Sequence, residues 1–341
     1  MSLGHFIQSA WQKQSSWLIV LRPLSWLYQA VSNSQKNKQL KNAYRAKVPV
    51  MIIGNITVGG SGKTPLIIAL VKFLQAQGIK VGVISRGYGG KGNDGKGSGF
   101  PLLVTPQSLP SQVGDEPVLI AQSVNVPMAV APQRKEAIEL LLKNHDIELI
   151  LSDDGLQHYA LARDIEWVVL DIQRGLGNQK LLPEGFLREP VQRLNDVTVI
   201  EHGTQSKTPY HMHLQVGQVQ NLADKNLSFD ATQHYQAVVG IGYPQRFFNT
   251  LNQLNLNYAE HIFADHHAYQ AHDLKDIFAK GDVITTSKDA VKLLELYAGQ
   301  TEILTKIWIV TVDAILSDDC YQLLSKQLSD LAINSTANNA D

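Results

Sequence analysis

Thr57, Val58, Gly59, Gly60, Ser61, Gly62, Lys63 and Thr64 follow one another in the chain and have the types needed to hold a row of phosphates. The glycines let the backbone approach an anion and turn successive N–H groups toward it. A lysine reaches the terminal phosphates, and a threonine hydroxyl suits Mg²⁺. The usual loop of this kind opens on glycine, whereas this one opens on Thr57. Asp153 and Asp154 close an apolar run beginning near Glu148, which is where enzymes with such loops keep a magnesium-binding carboxylate. Asp115 and Glu116 stand together in Gly-Asp-Glu-Pro, at the entry to a helical stretch. One of them can serve as base or metal ligand, or both can simply favour the helix N-terminus. Arg86 precedes a glycine-rich run and can either meet phosphate in the transition state or stay solvated. Asp265, His266 and His267 form a compact group, but no further ligands stand at the spacing a metal centre needs.

A phosphate loop works when an apolar strand delivers it and a helix follows, and both are legible here. Val50, Met51, Ile52 and Ile53 are the strand; an apolar-periodic helix spans 66–77 with Gly78 as its stop, and a second strand spans 80–85. Further strands are expected at 126–131, 148–152, 165–171 and 197–200, with a helix over 133–144. Residues 173–190 make a long loop carrying Arg174, Lys180, Glu184 and Arg188, and loops of that length are usually functional or disordered. The apolar pattern weakens over 210–222, where a linker is expected, and strand–helix alternation resumes near Gln236. The expected fold is α/β: a P-loop NTPase-like core on a mostly parallel sheet, a smaller second α/β domain, and an N-terminal membrane-associated helix. The corresponding boundaries are 1–47, 48–222 and 223–333, with a disordered polar tail over 334–341.

With 341 residues, 44% of them hydrophobic, the chain can bury a large core. Its single cysteine, Cys320, excludes an internal disulfide and a cysteine-based zinc cluster. No cleavable signal peptide is expected, because the first apolar stretch lacks the basic n-region and cleavage site of one. The net charge of −1 hides an asymmetry: the first 93 residues hold 12 of the 30 Lys and Arg and no acid at all. Such a segment meets something anionic. Nucleic acid fits poorly, since no reader motif accompanies the charge. Trp17, Val20, Leu21, Leu24, Leu27, Tyr28 and Val31 fall near helical spacing, interrupted by Arg22 and Pro23, and Lys36, Lys38, Lys41, Arg45 and Lys47 follow. This stretch is too short to span a bilayer but suits a helix lying in a membrane interface; the plainer alternative is a helix packed on the core.

The segments GNITVGGSGKTP, ISRGYGG, GDEP, SDDGLQH, QRGLGNQKLLPEGFLREP, GIGYPQRFF, FADHHAY and TSKDAVK together resemble the tetraacyldisaccharide 4′-kinase family of lipid A biosynthesis, from about Val48 to Asp313. That family also places threonine or serine where the first glycine is usual. The resemblance implies an ATP- and Mg²⁺-dependent phosphotransferase acting on the 4′-hydroxyl of a tetraacyl disaccharide 1-phosphate, with lipid IVA as product. It implies Asp115 as base with His266 as its partner, His266 being preferred to His267 because it directly follows Asp265. Lys63 belongs to the same catalytic set, and Arg86 joins it if its phosphate reading holds. Thr64, Glu116, Asp153 and Asp154 would surround Mg²⁺, while Arg134, Gln157, Glu184 and Arg188 are candidates for the substrate side. The implied partners are the lipid disaccharide and an anionic inner-membrane surface, with no nucleic acid and no protein partner, at the cytoplasmic face of the bacterial inner membrane, peripheral or monotopic. Two other readings compete. A membrane-docked GTP switch should carry [NT]KxD, but Thr286-Ser287-Lys288-Asp289 has its lysine one place late. A soluble small-metabolite kinase leaves the basic, aromatic N-terminal stretch unexplained. On the membrane reading, removing residues up to about Asn33 weakens attachment and lipid use while sparing the ATP site.

Overall fold

A computed structural model describes residues 3–333; the tail expected to be disordered from Asn334 lies outside the described residues. Contacts divide the chain into two interleaved units. The described residues up to Arg86, Val126–His213 and those from Ala314 onward form the first, and Gly87–Asn125 with Leu214–Asp313 form the second. A division by chain order at 222 assigns 87–125 to the first unit. Contacts group that segment with the second, because helix Asp115–Ser123 packs on helix Ser287–Leu296 and Ser111 N–H donates to Glu295 at 3.0 Å.

In the first unit, strand Val50–Gly54 is buried at every position, as its unbroken apolar run demands of a strand covered on both faces. The sheet runs in the order Thr198–His202, Ile165–Asp171, Val50–Gly54, Leu149–Asp153, Val81–Ser85, Met128–Val130, and every neighbouring pair is parallel. Parallel strands bring their carboxyl ends to one edge, where open α/β sheets place ligands. Register fixes the consequence: Ile53 pairs with Asp153, so the exit of the central strand and the first of the two aspartates lie side by side. Helix Lys63–Ala76 buries Leu66, Ile67, Leu70, Val71 and Leu74, a stripe at helical period, and Gly78 at φ 74° ends it.

The N-terminal stretch forms helix Leu3–Gln12, a 3₁₀ turn Ser16–Leu21 and helix Arg22–Lys41. Pro23 does not break this last helix but occupies its first turn, where the missing N–H has no intrahelical partner to lose. No described helix is long and apolar enough to cross a membrane. Val20 in the 3₁₀ turn is 74% exposed; in helix Arg22–Lys41, Leu24, Trp26 and Leu27 are 53, 64 and 61% exposed, while Ser25 is buried. This helix hides polar groups and presents apolar ones.

In the second unit the strands Asn257–Ile262, His234–Val239, Val283–Thr286 and Ile307–Leu316 pair in that order, each parallel to the next. Alternation along the second of these strands separates two cores. Tyr235, Ala237 and Val239 pack with Phe247, Phe248 and Leu251 on one face, and Val238 packs with Leu274, Ile277 and Leu293 on the other. Where the weakened apolar pattern predicts a linker, the chain forms strand His211–Asn221. Its half-buried His, Gln, Leu and Val give little hydrophobic contrast, which is why periodicity misses it.

Candidate active site

The first unit builds a phosphate loop from its backbone outward. Gly59 and Gly62 have φ of 96° and 98°, a region closed to most residues, and Gly62 caps helix Lys63–Ala76. A Cβ on Gly62 would stand 2.8 Å from His202 Nδ1 and 2.9 Å from Met212 Cε, whereas one on Gly60 would meet nothing within 4 Å. The loop is thus pressed against the protein at Gly62 and open at Gly60. Buried Asn55 holds its shape from inside, donating to Gly59 O at 3.3 Å and to Ser61 Oγ at 3.1 Å. His202 Nδ1 lies 2.7 Å from Ser61 O, and Arg174 Nη1 donates to Val58 O. Thr57 is buried and bridges Leu187, so the threonine in place of the usual glycine serves as an anchor of the loop. Asn55 lies within GNITVGGSGKTP, whereas His202 carries no motif signal in sequence and reaches the loop only from the end of strand Thr198–His202.

Charge around the loop is arranged in layers. Asp154, at φ 44°, pairs with Lys63 Nζ at 3.4 Å and with both terminal nitrogens of Arg188, at 3.0 and 2.9 Å. Burial opposes its ionisation, but Lys63 and Arg188 outweigh burial and hold the carboxyl far below the usual range. Asp153 is buried and accepts from Ser85 Oγ at 3.1 Å. Arg134, also buried, donates to the carbonyls of Asp153 and Asp154 at 3.0 and 3.4 Å; burial lowers its pKa to about 10 even with the two aspartates opposing. Arg134 therefore shapes the turn that carries the acids. Gln157 Nε2 donates to Asn55 O at 3.1 Å and to Glu189 Oε1 at 2.9 Å. Arg86 is exposed just beyond strand Val81–Ser85, at the edge where the loop begins. Glu184 lies elsewhere, buried under Arg22 of the N-terminal helix at 2.8 Å.

The second unit brings together residues far apart in the chain. Gly114, with φ 96°, leads into helix Asp115–Ser123; a Cβ there would stand 2.6 Å from Tyr88 O, so glycine is required at this turn. Asp115 is buried in the first helical turn, and His266 Nδ1 lies 3.1 Å from each of its carboxylate oxygens. His266 adopts φ 57°, an uncommon conformation for histidine that aims the ring at the carboxylate, and the ring of Tyr88 crosses it at 4.8 Å. His267 turns instead to Asp273 at 3.0 Å, supporting the start of helix Ala271–Phe278. Lys288 Nζ lies 3.1 Å from Glu116, 3.4 Å from Asp265 and 3.3 Å from His266 Nε2. Burial would raise the pKa of Asp115, but His266, Lys288 and Lys292 bring it down to about 2. Burial disfavours the imidazolium of His266, and Asp115 outweighs it, leaving that pKa raised. Lys288 lies in TSKDAVK, one of the segments that carry the family resemblance, but no local signal in sequence ties its side chain to these acids.

Among the described residues no cluster of three or more His, Cys, Asp or Glu gathers as for a metal. The donors at the loop are nonetheless of the right chemistry for Mg²⁺. Thr64 offers a hydroxyl and Asp153 a buried carboxylate at the strand end, hard oxygen groups that such an ion takes alongside phosphate oxygens. Glu116 is engaged with Lys288.

Comparison with known proteins extends over nearly all of the chain. The family described as tetraacyldisaccharide-1-P 4′-kinase matches residues 17–329. A tetraacyldisaccharide 4′-kinase of Psychrobacter cryohalolentis is 45% identical, covering 98% of this chain and 98% of its own length. One from Alcanivorax borkumensis is 47% identical over 85% of this chain and 89% of its own. The crystal structure of LpxK from Aquifex aeolicus in complex with ATP superposes with a TM-score of 0.72 at 24% identity, covering 92% of this chain and 99% of that one, and so shares the fold. By sequence over nearly its whole length, the chain belongs to the tetraacyldisaccharide-1-phosphate 4′-kinase family.

Proposed function

We propose that this protein transfers the γ-phosphoryl group of ATP to the 4′-hydroxyl of a tetraacyl disaccharide 1-phosphate, a step of lipid A biosynthesis, with ADP and lipid IVA as products. The observation that carries the chemical reading is the pair Asp115–His266, a buried carboxylate whose two oxygens both face one imidazole nitrogen, in a protein that also builds a phosphate loop. Thr57 to Thr64 would cradle the nucleotide phosphates, with Lys63 released from Asp154 to follow the charge on the transferred group. The hydroxyl oxygen bonds to the γ-phosphorus, the bond from that phosphorus to the bridging oxygen of ADP breaks, and the hydroxyl proton passes to Asp115.

A carboxyl held at about 2 is a weak base, which suits a loose transition state in which the proton leaves late. Its main contribution is then to orient the hydroxyl, and His266 fixes the carboxylate plane and shares the proton. Thr64, Asp153 and Asp154 are the residues that would hold Mg²⁺, which when bound neutralises phosphate charge. Arg188 orders Asp154, Arg134 orders the turn, and Arg86 is free to reach the phosphates from its exposed position.

The exposed apolar residues of the N-terminal helix, with the lysines beyond them, would lie in the cytoplasmic face of the inner membrane. Burying side chains such as Val20, Leu24 and Trp26 contributes about 1.5–3 kcal/mol each at full burial, and each basic residue near an anionic leaflet adds about 1 kcal/mol. The decisive experiment supplies ATP, Mg²⁺ and a tetraacyl disaccharide 1-phosphate in detergent and follows 4′-phosphorylation. Nucleotide hydrolysis without lipid phosphorylation, or turnover only of small soluble alcohols, would reject the assignment.

A further inference from the structure

The loop 173–190 contacts two parts of the first unit through neighbouring residues. On one side it receives the N-terminal helices. Trp11 Nε1 donates to Pro183 O at 3.0 Å, Ser25 Oγ to Leu181 O at 3.0 Å and Tyr28 OH to Arg188 O at 3.0 Å, while Ser25 Oγ accepts from Glu184 N–H at 2.9 Å. Arg22 grips buried Glu184 through two nitrogens, at 3.1 and 2.8 Å. On the other side the same loop holds the phosphate loop. Phe186 O accepts from Val58 N–H at 2.9 Å, Arg188 N–H donates to Ile56 O at 2.7 Å, Leu187 bridges Thr57, and the Arg188 guanidinium spans Asn55 and Asp154.

The N-terminal helices attach at 181, 183, 184 and 188 and the phosphate loop at 186, 187 and 188, so the two sets of contacts adjoin along the chain and meet at Arg188. The loop itself is not slack. Leu182 N–H donates to Leu187 O at 3.0 Å, Gly185 N–H to Leu181 O at 2.9 Å and Asn178 Nδ2 to Glu184 O at 2.9 Å, while Arg174 lies over the Phe186 ring at 4.5 Å. These internal hydrogen bonds stiffen the loop between its two sets of contacts.

We infer that the Arg22–Glu184 pair, with Ser25 and Tyr28, is a positioning device for the nucleotide: the N-terminal helix holds the phosphate loop in its binding shape through the loop 173–190. This rests on the nucleotide reading above and departs from the expectation that removing residues up to about Asn33 spares the ATP site, since Arg22, Ser25 and Tyr28 all fall in the removed stretch. It also gives Glu184 a role apart from contact with lipid substrate.

The test is ATP binding by the full-length detergent-solubilised protein with no lipid substrate present, so that lipid recognition cannot contribute. Arg22→Gln and Glu184→Gln are each expected to weaken ATP binding about three- to tenfold, the range of one or two lost hydrogen bonds. The double variant is expected to bind no worse than the poorer single, as for partners in one interaction. Tyr28→Phe removes one hydroxyl and keeps the helix; it is expected to weaken ATP binding by a smaller factor, and it carries the test if the charge variants fold poorly. Unchanged ATP affinity in Arg22→Gln, Glu184→Gln and Tyr28→Phe, with any loss confined to the lipid KM, overturns the inference. Wild-type protein in the same titration separates the two readings: no ATP binding there rejects the nucleotide site itself.

Discussion

In the first unit, the residues that would hold phosphate follow one another from Thr57 to Thr64, whereas in the second Asp115 and His266 meet across 151 positions of chain. The first region is built on backbone: a strand end, two glycines at positive φ and a helix N-terminus aim the N–H groups, and surrounding side chains such as Asn55 brace that shape. The second is fixed by side chains from three segments, and its only local requirements are Gly114 at the helix entry and the unusual φ of His266. The two also differ in charge. Lys63 and Arg188 draw Asp154 into a pairing that bound phosphates would have to compete for, while His266, Lys288 and Lys292 hold Asp115 ionised against its burial. A backbone site loses affinity by degrees when its bracing neighbours change; a site made of converging side chains fails with any of them.

The largest effects should come from the phosphate region. Lys63→Ala and Asp153→Ala are each expected to lower kcat by about 10³-fold or more with the fold retained, since both stand where charge builds up during transfer. Near wild-type turnover at saturating ATP and Mg²⁺ in either variant would remove that region from the chemistry. In the other region, Asp115→Ala and His266→Ala are each expected to cost about 10²- to 10⁴-fold in kcat. Because the pair is one hydrogen-bonded unit, the double change should cost far less than the product of the singles. Strictly multiplicative losses would show that the two residues act separately.

Glycine substitutions sharpen the comparison within the phosphate loop. Gly62→Ala places a Cβ against His202 and Met212 at a positive φ and is expected to lose about 1–3 kcal/mol of stability. Gly60→Ala meets nothing and should change stability by less than about 0.5 kcal/mol while weakening ATP binding. Melting curves and nucleotide titrations on the two variants decide this, and an equally destabilised Gly60→Ala would mean that the loop is packed at Gly60 as well.

The smallest effect is a pH dependence of the second region. His266 has a raised pKa in the folded protein, so its stabilisation by Asp115 is fully present below the unfolded value near 6.5 and is lost as pH rises through the folded value. Asp115, depressed to about 2, remains ionised across this window and loses its own contribution only as pH falls from about 4 toward 2. The stability advantage of wild type over Asp115→Asn should therefore be larger at pH 5.5 than at pH 8.5. Chemical unfolding at the two pH values measures it; a difference independent of pH would indicate that the imidazole stays neutral throughout.

Sequence alone determined whatever depends on contiguous residues. The strand of Val50 to Ile53, the loop that follows and helix Lys63–Ala76 were legible because apolar periodicity, glycine freedom and helix start signals act over a few residues. The aspartates at the end of Leu149–Asp153 were legible for the same reason. Pairing of Asp115 with His266 came from family resemblance, and no spacing rule joins them. Tertiary structure decided the rest. It set His266 rather than His267 against Asp115, gave Lys288 three partners, and placed Arg134 on backbone carbonyls beneath the acids. It grouped 87–125 with 214–313, which chain order conceals because helix packing is indifferent to sequence distance. Above all it turned the face of Arg22–Lys41: polar Arg22, Ser25 and Tyr28 point inward to backbone groups and a buried carboxylate of the loop 173–190, and the apolar residues point out. Helical periodicity marks which residues share a face, but only the surrounding polar partners determine which face is buried.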